Sequence, residues 1–157
     1  MIELRRTDSD DPRFVALVAE LDADLWRRYG DAQAEYAPHN RIETLATVVV
    51  ALDGARPVGC GCFKPFGPAA VELKRMYVAP DARGRGIAAQ VVAALEQWAC
   101  ELGFTAIALE TGTKQHEAIA LYTKLGFTPI ERFGPYVDMP LSLCLRKSLV
   151  VDPEGSR

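Results

Sequence analysis

The chain has 157 residues, 49% of them hydrophobic and 25% charged, which is enough for one domain with a proper core and too little for two of ordinary size. A formal net charge of −3 and a pI near 5.4 lack the basic excess of a general nucleic-acid binder. Glu3, Arg5, Arg6 and Asp8 break any early apolar run, and the uncharged stretch from Leu45 to Leu52 is far shorter than the ~20 residues of a membrane helix, so neither a signal peptide nor a span is expected. A soluble, cytoplasmic chain without nucleic-acid or membrane partners is the expectation.

Met1 to Arg6 alternates apolar and polar residues and reads as a first strand. Asp10 or Asp11 can cap a helix that has Pro12 at its first position, with Phe14, Leu17, Val18, Leu21 and Leu25 at helical spacing and Gly30 as its end. Asp31 to Asn40 is polar and reads as a loop or a short second helix. The β-branched run Leu45 to Leu52 is a strand, and Asp53-Gly54 is a hairpin turn into a strand from Arg56 to Phe66. Gly59 and Gly61 within that strand predict a bulge or a close backbone approach. Gly67-Pro68 then turns the chain into a central strand, Val71 to Val78.

A helix from Ile87 carries Val91, Leu95, Trp98 and Leu102 on one face, and Gly103 stops it. Phe104 to Leu109 is the next strand, parallel to Val71–Val78 through a right-handed crossover, with Glu110 closing it. Gly112 and Thr113 open a last helix with Ile119, Tyr122 and Leu125 along it. Phe127 to Arg132 and Leu141 to Leu145 are the final strands, bridged by Phe133-Gly134-Pro135-Tyr136. Residues 1–150 thus form a single domain and 151–157 a flexible tail. The fold class is α/β: a mixed, mostly antiparallel sheet with one parallel pair and helices on both faces. Cys60, Cys62, Cys100 and Cys144 form no C-x-x-C pair, and with only His39 and His116 beside them they read as reduced thiols rather than metal ligands.

The informative stretch is VELKRMYVAPDARGRGIA, Val71 to Ala88: strand, glycine-rich turn, helix start. Unpaired N–H groups at a helix N-terminus converge on an anion, and glycines let backbone approach it. The turn is neither a Walker loop nor a dinucleotide fingerprint. Arg83-x-x-Gly86-x-Ala88 resembles instead the pyrophosphate loop of the GNAT superfamily of N-acetyltransferases. The string Ala118-Ile119-Ala120-Leu121-Tyr122 with Leu125-Gly126-Phe127 resembles the same superfamily's A-x-x-L-Y-x-x-x-G-F helix.

That resemblance implies a GNAT fold whose central strands splay apart around the cofactor, and an enzyme that transfers acetyl from acetyl-CoA to an amine in a ternary complex, without a metal. It implies that the backbone of Arg83, Gly84, Arg85, Gly86, Ile87 and Ala88 holds the pyrophosphate. Met76, Tyr77 and Val78 would pair with pantetheine and supply an oxyanion donor, and Tyr122 would protonate the leaving thiolate. Gln115 stands where the family often has asparagine at the pantetheine. Glu72, a carboxylate in mid-strand, is the first candidate base, with an ion pair to Lys74, Arg75 or a neighbouring strand as its bland alternative; Glu110 is the rival base or an ammonium-binding group, with helix capping or an ion pair as its alternative. Trp26, Tyr29, Tyr36 and His39 are candidates for the acceptor pocket, and Phe133 and Tyr136 for its wall. The acceptor expected is a small-molecule primary amine. A protein lysine or N-terminus, or a non-catalytic acyl-CoA sensor, are the alternatives, and a homodimer is left open.

Overall fold

The structure, a computed structural model, describes residues 1–32 and 45–149. In chain order these form β1 (Ile2–Thr7), α1 (Pro12–Tyr29), β2 (Val48–Asp53), β3 (Arg56–Phe66), β4 (Ala70–Val78), α2 (Ile87–Glu101), β5 (Ala106–Gly112), α3 (His116–Lys124), β6 (Thr128–Ile130) and β7 (Ser142–Ser148). The strands make one seven-stranded sheet in the order β1-β2-β3-β4-β5-β7-β6. The β4–β5 pair is parallel, whereas β1–β2, β2–β3, β5–β7 and β6–β7 are antiparallel. The described chain divides into two compact units: one holds residues 1–32, 45–63 and 74–95, the other 64–73 and 96–149. Strands β3 and β4 and helix α2 contribute to both.

In the first unit, α1 starts where the sequence asks it to. Asp11 is the N-cap, its Oδ1 accepting from the Arg13 N–H at 2.9 Å, and Gly30 ends the helix at φ 55°. Phe14, Leu17 and Val18 of α1 form a core with Val48, Val50 and Leu52 of β2, Cys60 and Cys62 of β3, and Tyr77 of β4. The cysteines are free thiols there, donating weakly to the carbonyls of Arg75 and Lys74. On the other face of β3 the alternating glycines make room for α2. An added Cβ on Gly61 would stand 2.3 Å from Met76 Sδ and 3.1 Å from both Leu95 and Val91, and one on Gly59 would stand 2.9 Å from Ile87. The anticipated close approach is therefore real, and α1 and α2 lie on opposite faces of β3. The β2–β3 register also shifts between Ala51 and Leu52, opposite this stretch.

Several boundaries differ from the sequence reading, each for a hydrogen-bonding reason. β2 begins at Val48 rather than Leu45 because Leu45 exchanges its backbone bonds with Ser9, N–H to Oγ at 2.8 Å and C=O to N–H at 2.9 Å. β5 spans Ala106–Gly112, so Glu110 lies inside the strand rather than at its close. Strand β7 offers partners all the way from Ser148 to Ser142, and Thr113 then donates to Leu141 O. That continued pairing also delays α3 to His116. β1 is mostly exposed despite its alternation; it is an edge strand, and Glu3, Arg5 and Arg6 discourage further pairing.

Candidate active site

Strand β4 leads through a 3-10 turn, Pro80–Ala82, into Arg83-Gly84-Arg85-Gly86, and α2 begins at Ile87. Gly84 and Gly86 have φ of 82° and 76°, a conformation that costs a side-chain-bearing residue about 1–2 kcal/mol. A Cβ on either would meet nothing within 4 Å, so the backbone conformation, not crowding, asks for glycine, and the space over the loop is open. The helical ladder starts at Gly86, whose carbonyl accepts from the Gln90 N–H at 3.1 Å. Among the described residues the N–H groups of residues 84–89 find no backbone acceptor. These six donors lie at the positive end of a 15-residue helix, where an anion is favoured. The arginine side chains are engaged around it. Arg83 Nε donates to Val78 O at 2.9 Å and its guanidinium lies 5.6 Å from the Tyr77 ring centroid, while Arg85 meets Asp53 at 3.0 Å in an exposed pair.

The parallel ladder between β4 and β5 pairs Ala70 with Ala106 through Leu73 with Leu109 and ends there. Lys74 to Val78 keep that edge of their backbone outside the ladder. Within this stretch Arg75 has φ 58°, the one non-glycine residue among the described residues in the left-handed region. Its side chain is only 4% exposed, and the guanidinium meets Asp22 of α1, whose side chain is 48% exposed. Arg75 Nε is buried and has no partner among the described residues. Leaving such a donor unmet costs about 1–3 kcal/mol.

In the second unit, register brings the two candidate bases to one face. Glu72 stands opposite Ala108 in the parallel pair, and Glu110 follows two residues later on the same face of β5. Tyr136, buried on the 3-10 turn Gly134–Tyr136, donates its hydroxyl to Glu72 Oε2 at 2.9 Å. Burial first, then the carboxylates of Glu72 and Glu110, push the Tyr136 phenol well up, so it stays a donor to Glu72 at any working pH. Glu110 pairs with Cys144 across β7, and its diagonal neighbour Ser142, itself buried, donates to Glu110 Oε2 at 2.8 Å. Phe133 stacks at 4.7 Å on Phe66 and meets Tyr136 edge-on at 5.6 Å. A line of three rings thus runs from a half-exposed phenylalanine to the buried carboxylate of Glu72.

Tyr122 lies on α3, buried, with its ring edge-on to Phe127 at 5.5 Å. Burial alone pushes its phenol up. Gln115 is the residue before α3, and Thr111 Oγ1 donates to its Oε1 at 3.2 Å. Of the acceptor-pocket candidates, Trp26 is 46% exposed on α1 and Tyr29 is buried near its end. Tyr36 and His39 lie outside the described residues. The structure therefore joins Glu72, Glu110, Tyr136 and Phe133 in one cluster. It also adds residues the sequence did not single out. Ser142 reaches Glu110 only through the β5–β7 register, and Phe66 and the Arg75–Asp22 pair depend on contacts between distant segments. Among the described residues no group of three His, Cys, Asp or Glu is placed to hold a metal ion, and no helix is long and apolar enough to cross a membrane.

A profile of the Acetyltransferase (GNAT) family matches residues 6–127, and the chain belongs to this family. It is 38% identical over 145 residues to an IAA acetyltransferase of Azospirillum brasilense, covering 86% of this chain and 90% of that one. It is 31% identical over 115 residues to the rat N-acetyltransferase family 8 member 2, covering 73% of this chain but only 48% of the relative, about half its length. Among solved structures, a Klebsiella pneumoniae protein provisionally described as an acyl-CoA N-acyltransferase superposes with a TM-score of 0.79 at 32% identity, covering 96% and 99% of the two chains. The protein is thus a GNAT-type acetyltransferase, and its mixed α/β sheet with one parallel pair is that of the family.

Proposed function

We propose that the protein transfers the acetyl group of acetyl-CoA directly to the primary amine of a small molecule. The observation that carries the donor side is the cradle of unpartnered N–H groups from Gly84 to Ala89 at the start of α2. It suits a pyrophosphate, with Arg85 free to exchange exposed Asp53 for a phosphate oxygen. The edge of β4 from Met76 to Val78, outside the β5 ladder, has the donors and acceptors to pair with pantetheine amides as an added strand would. A backbone N–H there also suits the oxyanion.

For the acceptor, the difficulty is charge. An alkyl amine with a pKa near 10 is neutral in only about one molecule in a thousand at pH 7. Glu72, fixed by the Tyr136 hydroxyl, takes the proton of the attacking nitrogen, and Glu110, fixed by Ser142, holds or replaces it in that role. Tyr122 presents its hydroxyl to the departing sulfur. Because burial raises that phenol above its ordinary value of about 10, it donates a hydrogen bond as the C–S bond breaks rather than ionising beforehand.

Calorimetric titration with acetyl-CoA and free CoA tests the donor half. Micromolar binding is expected in the wild type, and its loss in Gly86→Glu, which puts a charge and a strained φ where the phosphate sits. Thiol release over a panel of amines, with Tyr122→Phe beside the wild type, tests transfer. Failure of the folded wild type to bind either ligand would sink the assignment.

A further inference from the structure

The side-on edge of an arginine, Nε with Nη2, fits both oxygens of one carboxylate. Arg13 shows that fork filled: Nε donates to Asp11 Oδ1 at 3.0 Å and Nη2 to Oδ2 at 2.7 Å. Arg75 shows it half filled. Its Nη2 donates to Asp22 Oδ1, while the buried Nε has no partner among the described residues. The two partners also differ in their hold on the site, for the Arg75 side chain is 4% exposed and the Asp22 side chain 48%. A carboxylate standing half in water can turn out to solvent at little cost; a sealed guanidinium cannot, and it then demands another anion.

Two further features argue that the side chain is there for a ligand. Arg75 occupies a left-handed backbone position, φ 58°, in mid-strand, which glycine would fill without strain. It also stands in the Lys74–Val78 stretch of β4, whose edge lies outside the parallel ladder. Asp22 precedes Trp26 by one helical turn on α1, so a half-exposed indole shares its face.

We infer that Arg75 is the recognition group for a carboxylate on the acceptor, with Asp22 as its displaceable stand-in, so that the acceptor is an amino acid or another amine bearing a carboxylate. This rests on the transferase reading above. An incoming carboxylate takes Nε and Nη2 together while Asp22 turns to water, and the net charge at the guanidinium is unchanged. An amine without the carboxylate leaves Nε as it is and gains nothing from the exchange. A site built to bond a polar group rejects the analogue lacking it far better than an apolar pocket rejects a wrong size.

The test titrates amino acids, each paired with its own carboxamide, into wild type, Asp22→Asn and Arg75→Gln by calorimetry, with and without CoA. Expected are a preference of about tenfold or more for the acid in the wild type, tighter binding of acids by Asp22→Asn, and no preference in Arg75→Gln. Arg75→Gln puts the fold at risk because the site is buried; Asp22→Asn, at a half-exposed site, carries the test alone if that variant does not fold. Equal binding of acid and carboxamide by wild type and Asp22→Asn, or binding of no acid at all, overturns the inference. Thiol release is assayed in parallel over simple amines. Release without acid preference removes the carboxylate and keeps the transferase; acid binding without CoA binding or release does the reverse.

Discussion

The two units of the molecule assign their chemistry to different atoms. In the unit formed by residues 1–32, 45–63 and 74–95, the groups proposed for the donor are main-chain ones: N–H donors from Gly84 to Ala89 and the strand edge from Lys74 to Val78. Their supporting core is apolar, built from α1, β2 and β3. In the unit formed by residues 64–73 and 96–149, the groups are side chains, Glu72, Tyr136, Glu110 and Ser142, held by bonds to one another. Backbone chemistry tolerates many side chains but depends on conformation, so it is broken by changing glycines. Side-chain chemistry depends on register, so it is broken by changing single functional atoms. The two kinds of substitution should therefore fail in different ways.

The largest effect is expected in the side-chain unit. Glu72→Gln keeps an acceptor for Tyr136 and removes only the basic charge, so kcat should fall about 10²-fold or more with acetyl-CoA affinity unchanged. Glu110→Gln retains its bond from Ser142 and should cost less. Steady-state kinetics over pH 6–9 reads both. A larger loss in Glu110→Gln would exchange the two roles, and less than threefold in both would leave the reaction without a carboxylate base.

The backbone unit should respond in stability. Gly61→Ala places a methyl group against Met76 Sδ, which can swing away, and against Leu95 and Val91, which are fixed on α2. Overpacking of this kind costs about 1–3 kcal/mol, seen as a fall in melting temperature of about 2–10 °C. Gly84→Ala has open space and no such clash, so it should cost only the strain of its φ and leave the melting point closer to that of the wild type. An unchanged melting temperature in Gly61→Ala would show that packing against α2 is not what Gly61 provides.

This contrast also explains what the sequence made legible. The glycine loop, the span of β3, the Asp11 cap and the parallel crossover follow from local chemistry, and each is found where the residues ask for it. Even the close approach at Gly59 and Gly61 was readable, because a glycine pair within a strand has few other uses. Glu72 and Glu110 stood out singly as carboxylates. Their shared face did not, since it depends on the pairing of Glu72 with Ala108, which no local pattern specifies. Glu110 reads as the end of its strand for the same reason: β7, more than thirty residues on, extends β5 to Gly112. The left-handed φ of Arg75 and its bond to Asp22, 53 residues away in sequence, have no signature in the local pattern.

The smallest effect lies at the filled arginine fork, and it separates the two arginine–carboxylate pairs. Asp11 accepts from the Arg13 side chain through both oxygens, from the Arg13 backbone and from Thr7 Oγ1, and the Arg13 bond chiefly holds its carboxyl well below the usual range. A lowered folded-state pKa means that its contribution is complete above the unfolded value of about 3.9 and fades as pH falls through the folded one. Asp11→Ala should thus cost about 1 kcal/mol at pH 7, the ordinary worth of a helix N-cap. The gap in melting temperature between variant and wild type should hold from pH 7 to about 5 and narrow only below about 4. Asp22→Asn takes the anion from a nearly buried Arg75 side chain, so it should cost more than this in the ligand-free protein, and an amino acid that fills the half-empty fork should restore the melting temperature. If added amino acid left the melting temperature of Asp22→Asn unchanged, Asp22 would be a structural partner of Arg75 rather than a displaceable one, and the contrast between the filled and half-filled forks would carry no functional meaning.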